Sequence, residues 1–104
     1  MWVVQENILE SEDVFTLRLK PKFRRANEFR FEYGQFNMIY VPGHGEVAIS
    51  ISGKDFHSDS GLLHTIRAVG AATAELMRAS AGQELGIRGP FGKPWPINAI
   101  LNKN

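Results

Sequence analysis

The sequence predicts a mainly all-β protein, a six-stranded antiparallel Greek-key barrel with one short helix. Apolar and polar residues alternate in several short segments, only one segment has helical spacing, and glycine or proline lies at several boundaries. We expect the sheet to close into a barrel because closure removes the edges of a small sheet. With 43% hydrophobic and 22% charged residues among 104, the composition is that of one globular domain, not of a disordered segment.

Two strands are predicted near the amino terminus, on either side of a polar turn at residues 11–13. The first strand covers residues 2–9. The second covers residues 15–20, where phenylalanine and leucine alternate with threonine, arginine and lysine, as in a strand with one buried face. Pro21 and the many charges that follow it, up to residue 33, then indicate a long surface connection.

Two adjoining strands are predicted around a turn at residues 42–45, which contain a proline and two glycines. They cover residues 35–41 and 46–52. The second strand presents two faces, one with Val47, Ile49 and Ile51 and the other with Ala48, Ser50 and Ser52. The polar residues 53–61 are predicted to form the next connection.

The fifth strand and the only helix are predicted next to each other in the chain. The strand covers residues 62–69 and is broken by Gly70. The helix covers residues 71–80, which are rich in alanine, and Gly82 is the expected stop. One apolar side of this helix consists of Ala72, Leu76 and Met77.

A short last strand is predicted over residues 85–88, immediately before Gly89-Pro90-Phe91-Gly92. Pro94 and Pro96 end regular structure. The folded domain is therefore expected to cover residues 1–96, with residues 97–104 as a frayed tail.

The residue types present exclude several kinds of chemistry. No cysteine is available for a disulfide, a thiolate zinc site or an iron–sulfur cluster held by this chain itself. His44, His57 and His64 have no metal-ligand spacing, and no Gly-x-Ser-x-Gly elbow or P-loop is present, so we predict neither a metal site nor hydrolysis. The net charge of +1 gives no overall attraction to nucleic acid or membrane. Without a signal peptide or a long apolar run, the cytoplasm is the expected compartment.

The junction between the fifth strand and the helix is a candidate anion site. Backbone N–H groups at a helix start attract anions, and residues 70–73 include no bulky side chain that would prevent close approach. The Thr73 hydroxyl lies in the first turn, where it can donate a hydrogen bond to a phosphate oxygen. The alternative is a helix of small residues packed against the sheet, with the Thr73 hydroxyl bonded to the backbone.

Three segments, taken in their order and spacing, resemble one known family. They are residues 46–52, residues 65–73 with a Gly-x-x-Thr helix start, and Gly89-Pro90-Phe91-Gly92 followed by Trp95-Pro96. Together they resemble the flavin-binding barrel domain of the ferredoxin–NADP reductase superfamily. The likeness is greatest to the gamma subunits of nickel–iron hydrogenases and the electron-transfer subunits of dihydroorotate dehydrogenase, and it covers nearly the whole chain.

The resemblance implies a flavin cofactor, FAD more than FMN, although one phosphate would suffice for the helix start. The implied flavin contacts come from two strands and from the start of the helix. They are Val47, Ala48, Ile49, Ser50, Thr65, Ile66, Arg67, Gly70, Ala72 and Thr73.

Each of these groups has its own implied role. Ser50 is the candidate catalytic residue, with its hydroxyl near flavin N5, and Ile49 is expected to pack on the ring. The backbone of residues 65–67 is expected to face the pyrimidine edge, where Arg67 can add positive charge. Ala72 and Thr73 are expected to hold phosphate.

Two residues depart from the family pattern. Val47 stands where most relatives carry an arginine that pairs with the cofactor phosphate, a loss that can weaken binding about ten- to a hundredfold. Ile49 replaces the usual aromatic residue, which gives up ring stacking but keeps an apolar contact. Gamma-type subunits share both changes, so the flavin remains the expected cofactor.

The resemblance also implies an activity, hydride exchange between NAD(P)H and the flavin followed by single-electron transfer to an iron–sulfur partner. Hydrogenase or dehydrogenase subunits are the expected partners. Such enzymes place a nicotinamide-binding domain directly after the segment that contains Trp95-Pro96. Because this chain ends at Asn104 without a Gly-x-Gly-x-x-Gly motif, we expect a shortened protein in which that domain and its NAD(P)H site are absent.

An alternative hypothesis makes the barrel a small interaction module. Six basic residues lie between Arg18 and Arg30 against one acid, Glu28, and three phenylalanines are interleaved with them. Such a loop can bind single-stranded nucleic acid or dock an acidic protein partner. The simpler interpretation is a solvated loop whose phenylalanines cover the open end of the barrel.

Overall fold

The computed structural model describes residues 1–22, 31–32, 34–54 and 61–93. Within these ranges the chain forms seven strands and one helix. In chain order they are β1 (Trp2–Leu9), β2 (Val14–Pro21), β3 (Phe36–Val41), β4 (Gly45–Ser50), β5 (Gly53–Lys54), β6 (Leu62–Arg67), α1 (Ala71–Met77) and β7 (Glu84–Phe91). The six predicted strands and the mainly β class are confirmed. The two-residue β5 was not predicted.

The strands form one antiparallel sheet in the order β4-β3-β7-β1-β2-β6-β5. Consecutive strands pair at β1–β2, β3–β4 and β5–β6, whereas the connections from β2 to β3 and from β6 to β7 cross between the two halves of the sheet. These crossing connections agree with the Greek-key part of the prediction.

The expected closed barrel is wrong, because the strand ladder ends at β4 on one side and at β5 on the other. These two edge strands are consecutive in the chain and are separated only by Ile51 and Ser52. The Ile51 N–H donates to Gln35 O at 3.0 Å, and the Ser52 N–H donates to Leu63 O at 2.9 Å. The same run of chain therefore bonds to the residue before β3 and then to β6, so the two ends of the sheet are connected without a closing ladder.

The core lies on the inner face of the sheet, where alternate residues of each strand are buried. Several apolar side chains have no exposed surface, among them Val4, Phe15, Leu17, Leu19 and Ile39. In β6 the buried residues are Leu62, His64 and Ile66, while Thr65 and Arg67 face outward. The alternation predicted for residues 46–52 is confirmed, because Ile49 and Ile51 are buried and Ser50 and Ser52 are exposed. In β2 the predicted inward residues are buried, but Thr16, predicted to face outward, is also only 7% exposed.

Helix α1 is shorter than the predicted residues 71–80 and ends at Met77. Asn7 Nδ2 donates hydrogen bonds to Met77 O and Ala79 O, each at 2.9 Å. A side chain of β1 therefore binds two carbonyl groups at the end of the helix. The predicted apolar side is confirmed: Leu76 is 2% exposed, and its two predicted companions are partly buried against the core.

Strand β7 is longer than the predicted residues 85–88, because it continues through Gly89 and Pro90 to Phe91. Phe91 pairs with Phe36 of β3, and the ladder is irregular between Phe36 and Met38. Gly89 and Pro90 lie opposite this irregularity, so the missing N–H of the proline removes no regular ladder bond.

Four sequence-based predictions lie wholly or largely outside the described residues. They concern most of the basic connection (residues 23–30 and 33), most of the polar connection predicted at 53–61 (residues 55–60), the segment with Trp95-Pro96, and the tail at 97–104. In the described parts of the chain, no helix is long and apolar enough to cross a membrane.

Candidate functional site

The two predicted halves of the site lie on β4 and β6. On β4, Ala48 and Ser50 face outward and are exposed, whereas Val47 is partly buried against the core and Ile49 is only 8% exposed. Ile49 and Ser50 therefore occupy opposite faces of the strand. Most of the Ile49 side chain is already covered by the core, which leaves little of it for the ring contact that the resemblance implies.

The β6 half has the same alternation. Thr65 and Arg67 are exposed on the outer face, while Ile66 is 3% exposed and contributes to the core. Arg67 Nε lies 3.5 Å from Asp13 Oδ2, and both side chains are more than half exposed. The acid partly offsets the positive charge that Arg67 was predicted to bring to the site.

Hydroxyl groups connect the two halves across the outer face. Thr65 Oγ1 lies 3.3 Å from Ser52 Oγ and 3.0 Å from Thr16 Oγ1 of β2, and the Thr16 hydroxyl donates to Glu10 Oε1 at 3.0 Å. Each residue of this row stands at an outward position of its strand or in the adjoining turn. The alternation in the sequence predicts that these side chains face outward. It does not predict that β2 pairs with β6, so this row of hydroxyl groups was not predicted.

The helix start uses the Thr73 hydroxyl for the backbone. Gly70 is the extended residue before the helix, and Thr73 Oγ1 accepts hydrogen bonds from Val69 N–H at 3.0 Å and Gly70 N–H at 3.1 Å. The same hydroxyl donates to Gly70 O at 3.2 Å. Of the two interpretations of Thr73, the geometry favours the hydrogen bond to the backbone. Because the Gly70 N–H donates to Thr73 Oγ1, a phosphate here would depend on the backbone N–H groups of residues 71–73.

We expect Thr73→Val to destabilise the protein by about 1 kcal/mol, because it removes a side-chain acceptor that serves two N–H groups at the helix start. Chemical denaturation followed by circular dichroism measures the change. Thr73→Ser keeps the hydroxyl and serves as the matched control. A loss in Thr73→Ser with none in Thr73→Val would show that the methyl group of Thr73, not its hydroxyl, stabilises this end of α1.

An ion pair that the sequence did not predict borders the β4 half. Arg88 of β7 donates to Glu46 of β4 through Nε at 2.7 Å and Nη2 at 2.9 Å, and its guanidinium lies 5.2 Å from the centroid of the Phe91 ring. The hydrogen bonds lower the pKa of Glu46 and raise the pKa of Arg88.

In the described ranges, no three histidine, aspartate or glutamate side chains are grouped so that they could hold a metal ion. His64 is fully buried, and His44 lies exposed in the turn between β3 and β4. His57 lies outside the described residues.

Comparison with known proteins identifies relatives among redox subunits. No protein-family model matches the chain. A probable dihydroorotate dehydrogenase B (NAD(+)) electron transfer subunit of Thermoplasma volcanium is 35% identical over 94 residues, 90% of this chain and 34% of the relative. Sulfhydrogenase 1 subunit gamma of Pyrococcus furiosus is 32% identical over 92 residues, 88% of this chain and 31% of the relative. The chain is a homologue of these electron-transfer proteins.

The resemblance predicted from the sequence is thereby confirmed. Among solved structures, an NADH-dependent reduced ferredoxin-NADP oxidoreductase studied for flavin-based electron bifurcation superposes with a TM-score of 0.74 at 22% identity, covering 89% of this chain and 33% of that one. Ferredoxin-NADP+ reductase from Plasmodium falciparum gives 0.70 at 17% identity, covering 96% and 41%. At these identities the likeness establishes the fold alone. The chain spans about a third of the length of the curated relatives it matches.

Proposed function

We propose that this chain is the flavin-binding part of an NAD(P)H-linked electron-transfer subunit. The observation that carries the proposal is the 35% identity to a dihydroorotate dehydrogenase B electron transfer subunit over 90% of the chain. The fold shared with ferredoxin-NADP+ reductase supports it. NAD(P)H is the proposed electron donor, acting through a further domain. The proposed acceptor is an iron–sulfur centre in a dehydrogenase or hydrogenase subunit.

The described residues fit a flavin at β4 and β6. Ala48 and Ser50 present small, exposed side chains on an edge strand, so a planar ring can approach the backbone there. Thr65 is exposed on β6, and the hydroxyls of Thr65 and Ser52 lie 3.3 Å apart between the two strands. Exposed hydroxyls and unblocked strand backbone suit the polar edge of a flavin, which supplies hydride and single-electron chemistry when bound.

In this proposal each part of the site keeps the role that the family implies. The Ser50 hydroxyl hydrogen-bonds near the redox-active nitrogen and acts as the catalytic group, while the backbone of residues 65–67 binds the pyrimidine edge. Ala72 and Thr73 hold phosphate through their backbone N–H groups, and Gly70, which has no side chain, leaves room for it. FAD is the proposed flavin, and Val47 makes it bind more weakly than it binds to relatives with an arginine at this position.

The direct test is the visible absorbance spectrum of the purified chain, before and after incubation with FAD or FMN and removal of free cofactor. We expect retained flavin bands, with mass spectrometry of the released cofactor identifying FAD. A protein that stays colourless with both flavins, at concentrations well above those that saturate the relatives, would overturn the proposal.

Gly70 offers a sharp test of the phosphate end. A side chain at Gly70 meets no heavy atom within 4 Å, and its backbone is extended with a φ of −154°, so other residues fit without strain. Asparagine and aspartate are both favoured before a helix start, so Gly70→Asn and Gly70→Asp should fold equally well. We expect Gly70→Asp to bind flavin at least about tenfold more weakly than Gly70→Asn, because the aspartate carboxylate repels phosphate and the neutral asparagine amide does not. Equal affinities by titration would place the phosphate elsewhere.

A further inference from the structure

A buried hydrogen bond lies behind the two halves of the candidate site. Asn37 of β3 and His64 of β6 are both 0% exposed, and Asn37 Nδ2 lies 3.1 Å from His64 Nε2. Asn37 is the register partner of Ile49, the residue before Ser50, and His64 directly precedes Thr65. The contact therefore joins the inner side of the β3–β4 hairpin to the inner side of β6.

This contact matters because β4 and β6 are not neighbours in the sheet. On the outer side they are connected through Ser52, whose N–H donates to Leu63 O at 2.9 Å and whose hydroxyl lies 3.3 Å from that of Thr65. On the inner side the Asn37–His64 hydrogen bond makes the connection. The chain segments that carry Ser50 and Thr65 are thus held together on both faces.

The Asn37–His64 pair lowers the stability of the core. Among the described residues, Asn37 Oδ1 and His64 Nδ1 have no hydrogen-bond partner, and an unsatisfied buried polar group costs about 1–3 kcal/mol. Burial also lowers the pKa of His64 to about 4, so the imidazole is neutral at neutral pH. Two apolar side chains of similar size would stabilise the fold more, so stability alone does not account for the pair.

We infer that the Asn37–His64 hydrogen bond is a positioning contact, which sets the separation of β4 and β6 and thereby the fit of flavin to Ser50 and residues 65–67. The inference rests on the proposed function. Asn37 and His64 do not touch the cofactor in this arrangement. They act through the strands that carry the flavin contacts, at a cost in stability to the core.

The test compares two substitutions at His64. His64→Leu removes the hydrogen bond and fills similar volume, whereas His64→Gln places a side-chain amide where it can still reach Asn37. We expect the flavin dissociation constant to rise at least tenfold in His64→Leu and to stay within about threefold of the parent in His64→Gln. Stability in urea should fall by about 1–3 kcal/mol in His64→Leu, because the buried Asn37 Nδ2 loses its partner. Val4→Ala, a fully buried position on β1, controls for core destabilisation and should leave flavin affinity unchanged.

A second measurement needs no flavin. Amide hydrogen exchange of Ile51 and Ser52 reports the bonds to Gln35 and Leu63 that connect the two edges. We expect exchange at least tenfold faster in His64→Leu than in the parent, and parent-like rates in His64→Gln. Should His64→Leu fail to fold, Asn37→Val removes the same contact from the other strand.

The outcomes separate the inference from the proposed function. If the parent binds flavin and His64→Leu binds it equally well with parent-like exchange, the positioning role is wrong while the proposed function stands. If the parent retains no flavin, the proposed function fails, and unchanged exchange in His64→Leu would overturn the positioning role as well. The inference is supported if His64→Leu shows both faster amide exchange and weaker flavin binding and His64→Gln shows neither.

Discussion

Gly89→Ala is expected to destabilise the protein much more than the same change at Gly43, another glycine with a positive φ. Gly89 has a φ of +144°, and a Cβ there would overlap Asn37 Oδ1 and lie 3.3 Å from the Asn37 Cα. The backbone strain and the steric overlap together should cost about 3–5 kcal/mol. Urea or thermal denaturation measures the change.

Gly43→Ala is the matched control for this prediction. Gly43 also has a positive φ, of +83°, but an added Cβ meets no heavy atom within 4 Å. We expect a loss of about 1 kcal/mol there, from backbone conformation alone. If the overlap with the Asn37 side chain is the main cost at Gly89, Asn37→Ala should recover part of the loss in a double-mutant cycle. Equal losses at Gly43 and Gly89 would show that β7 moves away from Asn37 freely.

The main strands and their buried faces could be predicted from the sequence. Short apolar segments between turn residues, several of them with alternating polar residues, predicted all six main strands, and the alternation assigned Ile49 and Ser50 to opposite faces of β4. Such patterns are local, with a period of two residues, so they can be recognised without knowing which strands pair. The order and spacing of three short segments were enough to indicate the family.

What the sequence could not predict depends on contacts between distant strands. Gly89-Pro90 was interpreted as a strand end because its place opposite an irregularity in β3 is not visible locally. Helix α1 ends early because Asn7, 70 residues away, binds the Met77 carbonyl. The buried position of His64 follows its strand alternation, but its partner Asn37 is determined only when β3 and β6 come together. The site's fine geometry therefore depends on topology more than on motifs.

His64 predicts a specific dependence of stability on pH. Burial lowers its pKa from 6.5 to about 4 in the folded protein, so the fold favours the neutral imidazole. This contribution to stability is fully present above pH 6.5 and is lost as the pH falls towards 4, because the unfolded chain binds the proton first. At about 1.4 kcal/mol for each pKa unit, the loss from this residue by pH 4 is about 3 kcal/mol.

Comparison of the parent with His64→Gln isolates this effect, because glutamine does not titrate and every other ionisable group is shared. Glu46, whose pKa is lowered by Arg88, also favours the folded state less as the pH falls, and this change cancels in the comparison. We expect the free energy of unfolding of the parent, relative to that of His64→Gln, to decrease between pH 7 and pH 4 by about 3 kcal/mol. A difference that stays constant over this range would mean that His64 accepts a proton in the folded state as readily as in the unfolded chain. That result would also remove the physical reason for treating the Asn37–His64 pair as a neutral, buried contact between β3 and β6.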